Sequence, residues 1–338
     1  MDIGSRRVFR LSLTTAITLA VAYAMNMSMP FMAPLFAFML AAPPKPPMGL
    51  KGLLGLLLVL AIILSAGLIL TPVLQEYPTT GLLLVLLGLF AANYITLNLG
   101  KGPVGAFMTV GVAMISMIGQ VSYELAAALT IELLISIGLA VVVLWVVYPL
   151  FPEDDGPVME PPPPPASQSS WLATRATLIV FPAFLLGLTN PTGYAPIIMK
   201  SVALGQQAEQ TAAKAAGREL LGSTFLAGLF AILFWFGLKL NPSLWMFFLW
   251  TLAFGVYCSA KFYRVIPGRY APTFWLNVFI TMLILVGPAV GDSANGKDVY
   301  AAFFVRMGLF IGVTIYAWLA LVFLEWLRTR KQVRLQAA

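Results

Sequence analysis

The sequence predicts an all-α polytopic membrane protein, with about 12 transmembrane helices arranged as two parallel six-helix repeats. Three observations predict it. The first is composition: 60% of the 338 residues are apolar and 10% are charged, with mean hydropathy +0.91. Soluble domains carry about 25% charged residues, so this chain cannot clothe a water-facing surface. The second is the form of the apolar runs. They are long and continuous, as helical crossings of about 20 residues require, and do not alternate as β-barrel strands do. The third is a parallel between the two halves of the chain.

Taken in order, the apolar runs fall near 8–25, 29–42, 52–72, 80–97, 103–119 and 124–148. A second set falls near 172–189, 193–205, 219–238, 243–260, 272–289 and 299–326. The first run opens on Arg6, Arg7 and Arg10 and ends in Ala22-Tyr23-Ala24, imitating a cleavable signal peptide. A comparable run follows Arg175, so the first is kept as a helix. The second and eighth runs hold only about 13 clean apolar residues, roughly 20 Å of helix against a hydrocarbon core of about 30 Å. Pro30 and Pro34 start the one; Asn190, Pro191, Gly193 and Pro196 lead into the other. Short, proline-interrupted spans at matching places in two halves point to half-helix breaks at a transport site, or else to tilted helices in a thinned bilayer. Residues 151–170, with Glu153, Asp154, Asp155, Glu160 and the run Pro161 to Pro165, form a polar linker. It separates a first repeat, 1–150, from a second, 171–338.

Charge sets the orientation. The net charge is +7, and it reports loop basicity, not a nucleic-acid partner. With twelve spans, 17 of the 20 Lys and Arg residues fall on one side, Lys239 and Lys297 on the other, and Arg306 inside a span. The positive-inside rule then puts both termini and the linker in the cytoplasm. The chain has no histidine and one cysteine, Cys258. Histidine-based metal, haem or triad chemistry and an internal disulfide are excluded. No GxxxxGK[ST] motif occurs, which argues against ATP-driven pumping.

The two sets match in detail. Met32-Ala33-Pro34-Leu35 parallels Tyr194-Ala195-Pro196-Ile197, and Lys51-Gly52-Leu53-Leu54-Gly55 parallels Arg218-Glu219-Leu220-Leu221-Gly222. Gly100-Lys101 parallels Gly268-Arg269, and Glu132, six residues before Gly138, parallels Arg306, six before Gly312. The offsets, 162, 167, 168 and 174, rise in order as small insertions require. Each half has an even number of spans, so the halves share one orientation and a pseudo-twofold axis along the membrane normal.

These motifs resemble the fusaric-acid-resistance and aromatic-acid-exporter superfamily of inner-membrane proteins. The likeness rests on the basic start Arg6-Arg7-Val8-Phe9-Arg10-Leu11, the short proline-led second span, the Lys/Arg-x-Leu-Leu-Gly opening of the third and ninth spans, and the polar residue six before glycine in the sixth and twelfth. It covers nearly the whole chain. Larger members carry a sizeable cytoplasmic domain after each six-span block, which here is replaced by the proline-rich linker and a short basic tail, as in a compact branch. The resemblance implies efflux of small, aromatic or other organic anions from the bacterial inner membrane, with a periplasmic adaptor protein as partner. Plant malate channels of the superfamily resemble dimers of one six-span half, which leaves a passive anion channel and homo-oligomerisation open. A membrane assembly partner without transport is the third alternative. The chain reads as neither an enzyme nor a cofactor binder. Its expected partners are a small organic anion and membrane lipid.

Candidate site residues follow from charge and polarity within spans. Glu132 and Arg306 lie about eight residues into their helices, about 12 Å deep, where an ionisable group costs at least about 2.5–3.5 kcal/mol. Their matching positions suggest that the twofold axis brings them together, as a substrate-attracting cation with a proton carrier or as a structural pair. Lys200 follows Pro196 by four residues, placed either to meet a carboxylate or to snorkel to the cytoplasmic surface. Asn190 and Tyr194 precede it, as substrate contacts or helix caps. Asn93 and Tyr94, late in the fourth span, and Asn277, opposite Thr109 in the eleventh, either line a polar path or join helices.

Overall fold

A computed structural model describes residues 1–99, 102–154, 166–210 and 213–336. Among them the chain is helical throughout, in twelve helices. The first six are α1 (Ile3–Ala24), α2 (Met32–Ala41), α3 (Leu50–Glu76), α4 (Pro78–Leu99), α5 and α6 (Tyr123–Val147). Helix α5 starts as Gly102–Val110 and continues through a π turn at Gly111–Ile115 to Ile118. The second six are α7 (Ala166–Gly187), α8 (Pro191–Gln210), α9 (Ala213–Leu240), α10 (Leu244–Phe262), α11 (Pro272–Ala294) and α12 (Val299–Gln336).

The helix starts follow from capping chemistry. Asp2, Ser122, Asn190 and Ser243 each accept a backbone N–H two or three residues ahead, at Gly4, Leu125, Gly193 and Met246. Pro78, Pro191 and Pro272 occupy first positions, where the missing N–H has no helical partner to lose. The linker is shorter than 151–170: its last five residues already belong to α7. Asp155, Glu160 and the run Pro161 to Pro165 lie outside the described residues.

Eight of these helices are long and apolar enough to cross a membrane: α3, α4, α6, α7, α9, α10, α11 and α12. The other four do not reach that length and hydropathy; shortness is expected of the second and eighth spans but not of α1 and α5. Helices α2 and α5 offer only the shorter apolar segments Met32–Ala41 and Val104–Ile118. In α1 the residues Arg10, Ser12, Thr14, Thr15 and Thr18 are all buried, and α8 ends in a polar stretch. The physical reason is position. Nearly every side chain of α2, of the second part of α5 and of α8 from Ala195 to Val202 is buried in the bundle, so these helices do not need an apolar surface.

Helix α8 also differs from its prediction. It runs for 20 residues, continuing past its short apolar run into polar sequence, and passes through Pro196 without a break. Pro191 sits at its start, Pro34 in the first turn of α2, and Pro30 in the turn before α2. The four prolines therefore mark helix beginnings or are absorbed within a helix, and none splits a span into half-helices.

Packing follows a repeated scheme. Helix α1 lies on α2, α6 and α10, and α7 lies on α8, α12 and α4. Helix α3 packs on α4, α5 and α6, as α9 does on α10, α11 and α12. At the α3–α5 crossing Gly67 faces the backbone of Gly111, where any added Cβ would overlap the Gly111 carbonyl oxygen. The bundle centre is built by α2, α5, α8 and α11. Of the apolar stretch of α11, 78% is buried, against 22% for α3 and α12. Phe36 of α2 meets Phe107 of α5 edge-on at 4.9 Å, and Phe38 of α2 lies 4.8 Å from Phe279 of α11.

Candidate functional site

Among the described residues Lys200 is the least exposed charge-bearing side chain. Helix α8 carries it into the interior with a relative exposure of 0%. Its Nζ donates to Thr281 Oγ1 at 2.9 Å and to Asn277 Oδ1 at 3.4 Å. Asn277 and Thr281 are four residues apart on α11 and so share one face. Asn277 in turn donates through Nδ2 to Ser223 Oγ of α9 at 2.6 Å. Asn277, Thr281 and Ser223 are buried too. Among the described residues no carboxylate lies within ion-pairing distance of Lys200. This overturns the snorkelling alternative: the side chain turns into the α8–α9–α11 junction, not to either surface.

A buried ammonium without a counter-charge is costly, and proteins ordinarily pair such groups or remove the charge. The cluster supplies only neutral oxygens. It can therefore hold the lysine in place by hydrogen bonds alone.

The cluster exists in one half only. The 162-residue offset sets Phe38 opposite Lys200, and the 168-residue offset sets Thr109 and Ala113 opposite Asn277 and Thr281. Beside it the four central helices close on an apolar cavity of about 30 Å³, lined by Leu35, Phe36, Met39, Ala106, Phe107, Val110, Met199, Val202, Ile280 and Ile284. That is space for a water molecule, not for an organic ion.

Arg306 and Glu132 are not brought together. Arg306 of α12 forms an ion pair with Asp292, in the last turns of α11, and Lys297 stands 3.8 Å from the same carboxylate. Glu132 of α6 accepts the backbone N–H of Met29 at 2.6 Å and so anchors the turn before α2. Asn190 is exposed and caps α8. Tyr194 is half-buried against the core. Asn93 is buried and donates to Thr177 Oγ1 of α7 at 3.2 Å, while Tyr94 stacks on Phe90 at 6.1 Å. Of the expected site residues, Lys200 and Asn277 meet through their side chains, and Tyr194 donates its backbone N–H to the Asn190 carbonyl at 2.9 Å.

Sequence reasoning missed Thr281, Ser223 and Asp292. The i, i+4 spacing of Asn277 and Thr281 was a usable signal for the first. For the last it was the short turn that joins α11 to α12. It also missed a clasp at the N-terminal end of α1. Glu153 accepts from Arg7 and Arg10, Asp154 accepts from Arg6, and the carbonyls of Phe151 and Pro152 accept from Arg10 and Arg6. Arg10 is 1% exposed and its pair with Glu153 measures 2.7 Å. Burial pushes the Glu153 carboxyl up, but the arginine hydrogen bonds and charges outweigh it and hold the group below its ordinary value. In the second half Arg175 of α7 pairs with Glu325 of α12 at 3.0 Å.

Fold and site together define a polytopic membrane protein, helical among the described residues, with a buried lysine at its core. Residues 7–147, which span α1 to α6, match a family described as a protein of unknown function (DUF2955). No curated protein and no solved structure matches the chain.

Proposed function

We propose that this protein is a secondary exporter in the bacterial inner membrane that moves small organic, aromatic anions outward, with both termini in the cytoplasm. The observation that carries the proposal is Lys200, a fully buried cation without an acidic partner among the described residues. Ionisable groups inside membrane-spanning bundles are by default functional, and an unpaired cation is what an anion would neutralise. Arg306, already paired with Asp292, serves the architecture in this scheme.

Two like-facing six-helix repeats form the frame of the proposal, with a pseudo-twofold axis along the membrane normal. Support comes from paired contacts. The ion pairs Arg10–Glu153 and Arg175–Glu325 tie the first helix of a half to the segment just after its sixth helix or to that helix itself, at offsets of 165 and 172. Ser12 donates to Ser259 at 3.3 Å between α1 and α10, and Asn93 donates to Thr177 between α4 and α7, at offsets of 165 and 166. The DUF2955 match ends where the first six helices end.

Proton coupling falls to Glu132. Its carboxylate holds the Met29 N–H, and protonation weakens that charge-assisted bond, loosening the turn that leads into α2 and the central cavity. A periplasmic adaptor, as the family resemblance implies, would receive the anion. The test is efflux of radiolabelled benzoate from proteoliposomes, with and without an imposed proton gradient. Gradient-dependent efflux that disappears in Lys200→Met supports the proposal. Efflux indifferent to the gradient makes the protein a passive channel. Absence of efflux at any gradient, with the adaptor supplied, makes it an assembly partner.

A further inference from the structure

Polar contacts of two kinds recur in this bundle, and they divide it differently. Within each half, an ion pair ties the first helix to the sixth helix or the segment that follows it: Arg10 to Glu153, buried on both sides, and Arg175 to Glu325, whose carboxylate is half-buried. Between halves, neutral side chains supply hydrogen bonds, among them those of Tyr23 to the Gly287 carbonyl and Tyr263 to the Ala42 carbonyl. Ser12 meets Ser259 where α1 lies along α10, and Asn93 meets Thr177 where α4 lies along α7. All four of these side chains are buried.

The α1–α10 seam runs the length of both helices, from Gly4 beside Val265, through Ser12 beside Gly255, to the Tyr23 and Phe247 rings at 4.8 Å. Its small residues allow close approach without interlocking charges. Charge pairs in a low-dielectric interior resist separation far more than neutral hydroxyl contacts do. The central helices α2, α5, α8 and α11 lie between the two seams, closed on a cavity too small for an organic ion.

We propose that the halves, α1–α6 and α7–α12, move as rigid bodies and that the α1–α10 and α4–α7 seams are the surfaces on which they pivot to open the α2/α5/α8/α11 centre. This rests on the transport reading for its purpose, but the motion itself is testable without it. Each seam bond offers a cross-linking position, because the two side chains already meet there, with polar atoms within 3.3 Å. The single native cysteine is removed by Cys258→Ala. In that background Ser12→Cys with Ser259→Cys bridges one seam, and Asn93→Cys with Thr177→Cys bridges the other. Thr224→Cys with Thr314→Cys is the control, joining α9 to α12 inside the second half, where the hydroxyls are 3.3 Å apart.

Oxidised seam variants should lose benzoate efflux at least about tenfold and regain it with dithiothreitol, whereas the oxidised control keeps efflux within about twofold. Hydrogen exchange on the same variants, measured without substrate, should slow in α2 and α8 on oxidation of a seam and not of the control. Exchange in α2 and α8 that is equal in oxidised and reduced seam variants overturns the pivot, and so does full efflux from a cross-linked seam. Loss of efflux from the unmodified protein bears on the transport reading alone, since the exchange measurement still decides the motion.

Discussion

Replacing Lys200 with methionine keeps the length of the side chain and removes its charge. The neighbours do not lose their partners, because Thr281 Oγ1 donates to Asn277 Oδ1 at 3.4 Å and Asn277 donates to Ser223. Removing a buried, unpaired ammonium should therefore stabilise the fold by about 1–3 kcal/mol, the scale on which apolar groups replace buried ionic ones. With an unfolding entropy of about 2.1 cal/mol/K per residue over 338 residues, the melting midpoint rises by about 1–4 °C. Arg306→Met should do the reverse. It strands the Asp292 carboxylate, which is 12% exposed and retains only Lys297 at 3.8 Å. Removing one partner of such a pair costs about 3–5 kcal/mol, a fall of about 4–7 °C on the same scale. Adding Asp292→Asn should recover most of that loss. The assay is thermal unfolding of the solubilised protein followed by tryptophan fluorescence, run beside benzoate efflux. Lys200→Met should be stable and inactive. A Lys200→Met protein that melts lower and still exports would refute the reasoning, because the lysine would then be a structural donor.

Other outcomes are expected. Glu132→Gln keeps an acceptor for the Met29 N–H, so it should fold normally while efflux loses its dependence on the proton gradient; Glu132→Leu leaves that N–H unpaired and should cost about 1–3 kcal/mol in a melting assay. The clasp should respond to acid. Glu153 is held below its ordinary value of 4.5, so its contribution is fully present above that value and is lost as pH falls through the lower folded value. The difference in melting midpoint between the wild type and Glu153→Gln should therefore be constant near neutrality and close as pH drops below about 4. Gly67→Leu forces α3 away from the Gly111 carbonyl and should destabilise by about 1–3 kcal/mol through overpacking, seen as lower yield and a lower midpoint.

Helix number and order were legible because continuous apolar runs leave a chain few alternatives to helices in a bilayer. The twelve runs correspond to the twelve helices found among the described residues, with ends off by up to ten residues, at the end of α12. Which helices face lipid was less legible. Shortness in the second and eighth spans read as half-helix breaks or tilt, whereas most of α2 and residues 195–202 of α8 are buried. Side-chain partners were the least legible. Matching positions in a twofold repeat touch only near the axis. Helix α6 packs on α1, α2 and α3, and α12 on α7, α8 and α9, so Glu132 and Arg306 each found a nearer partner. Lys200 was misjudged for a related reason. Its place in a short span suggested a nearby surface, whereas the rotation of α8 aims it at α11.

Lys200 as the anion site is most directly tested by the position of 4-iodobenzoate bound to the protein, located by the anomalous scattering of its iodine. The carboxylate should lie at hydrogen-bond distance, about 3 Å, from Lys200 Nζ, with the central helices parted to admit the ring. An iodobenzoate held only in lipid-facing grooves, such as the one between Pro182 of α7 and Gly308 of α12, with Lys200 still bonded to Thr281 and Asn277, would contradict it.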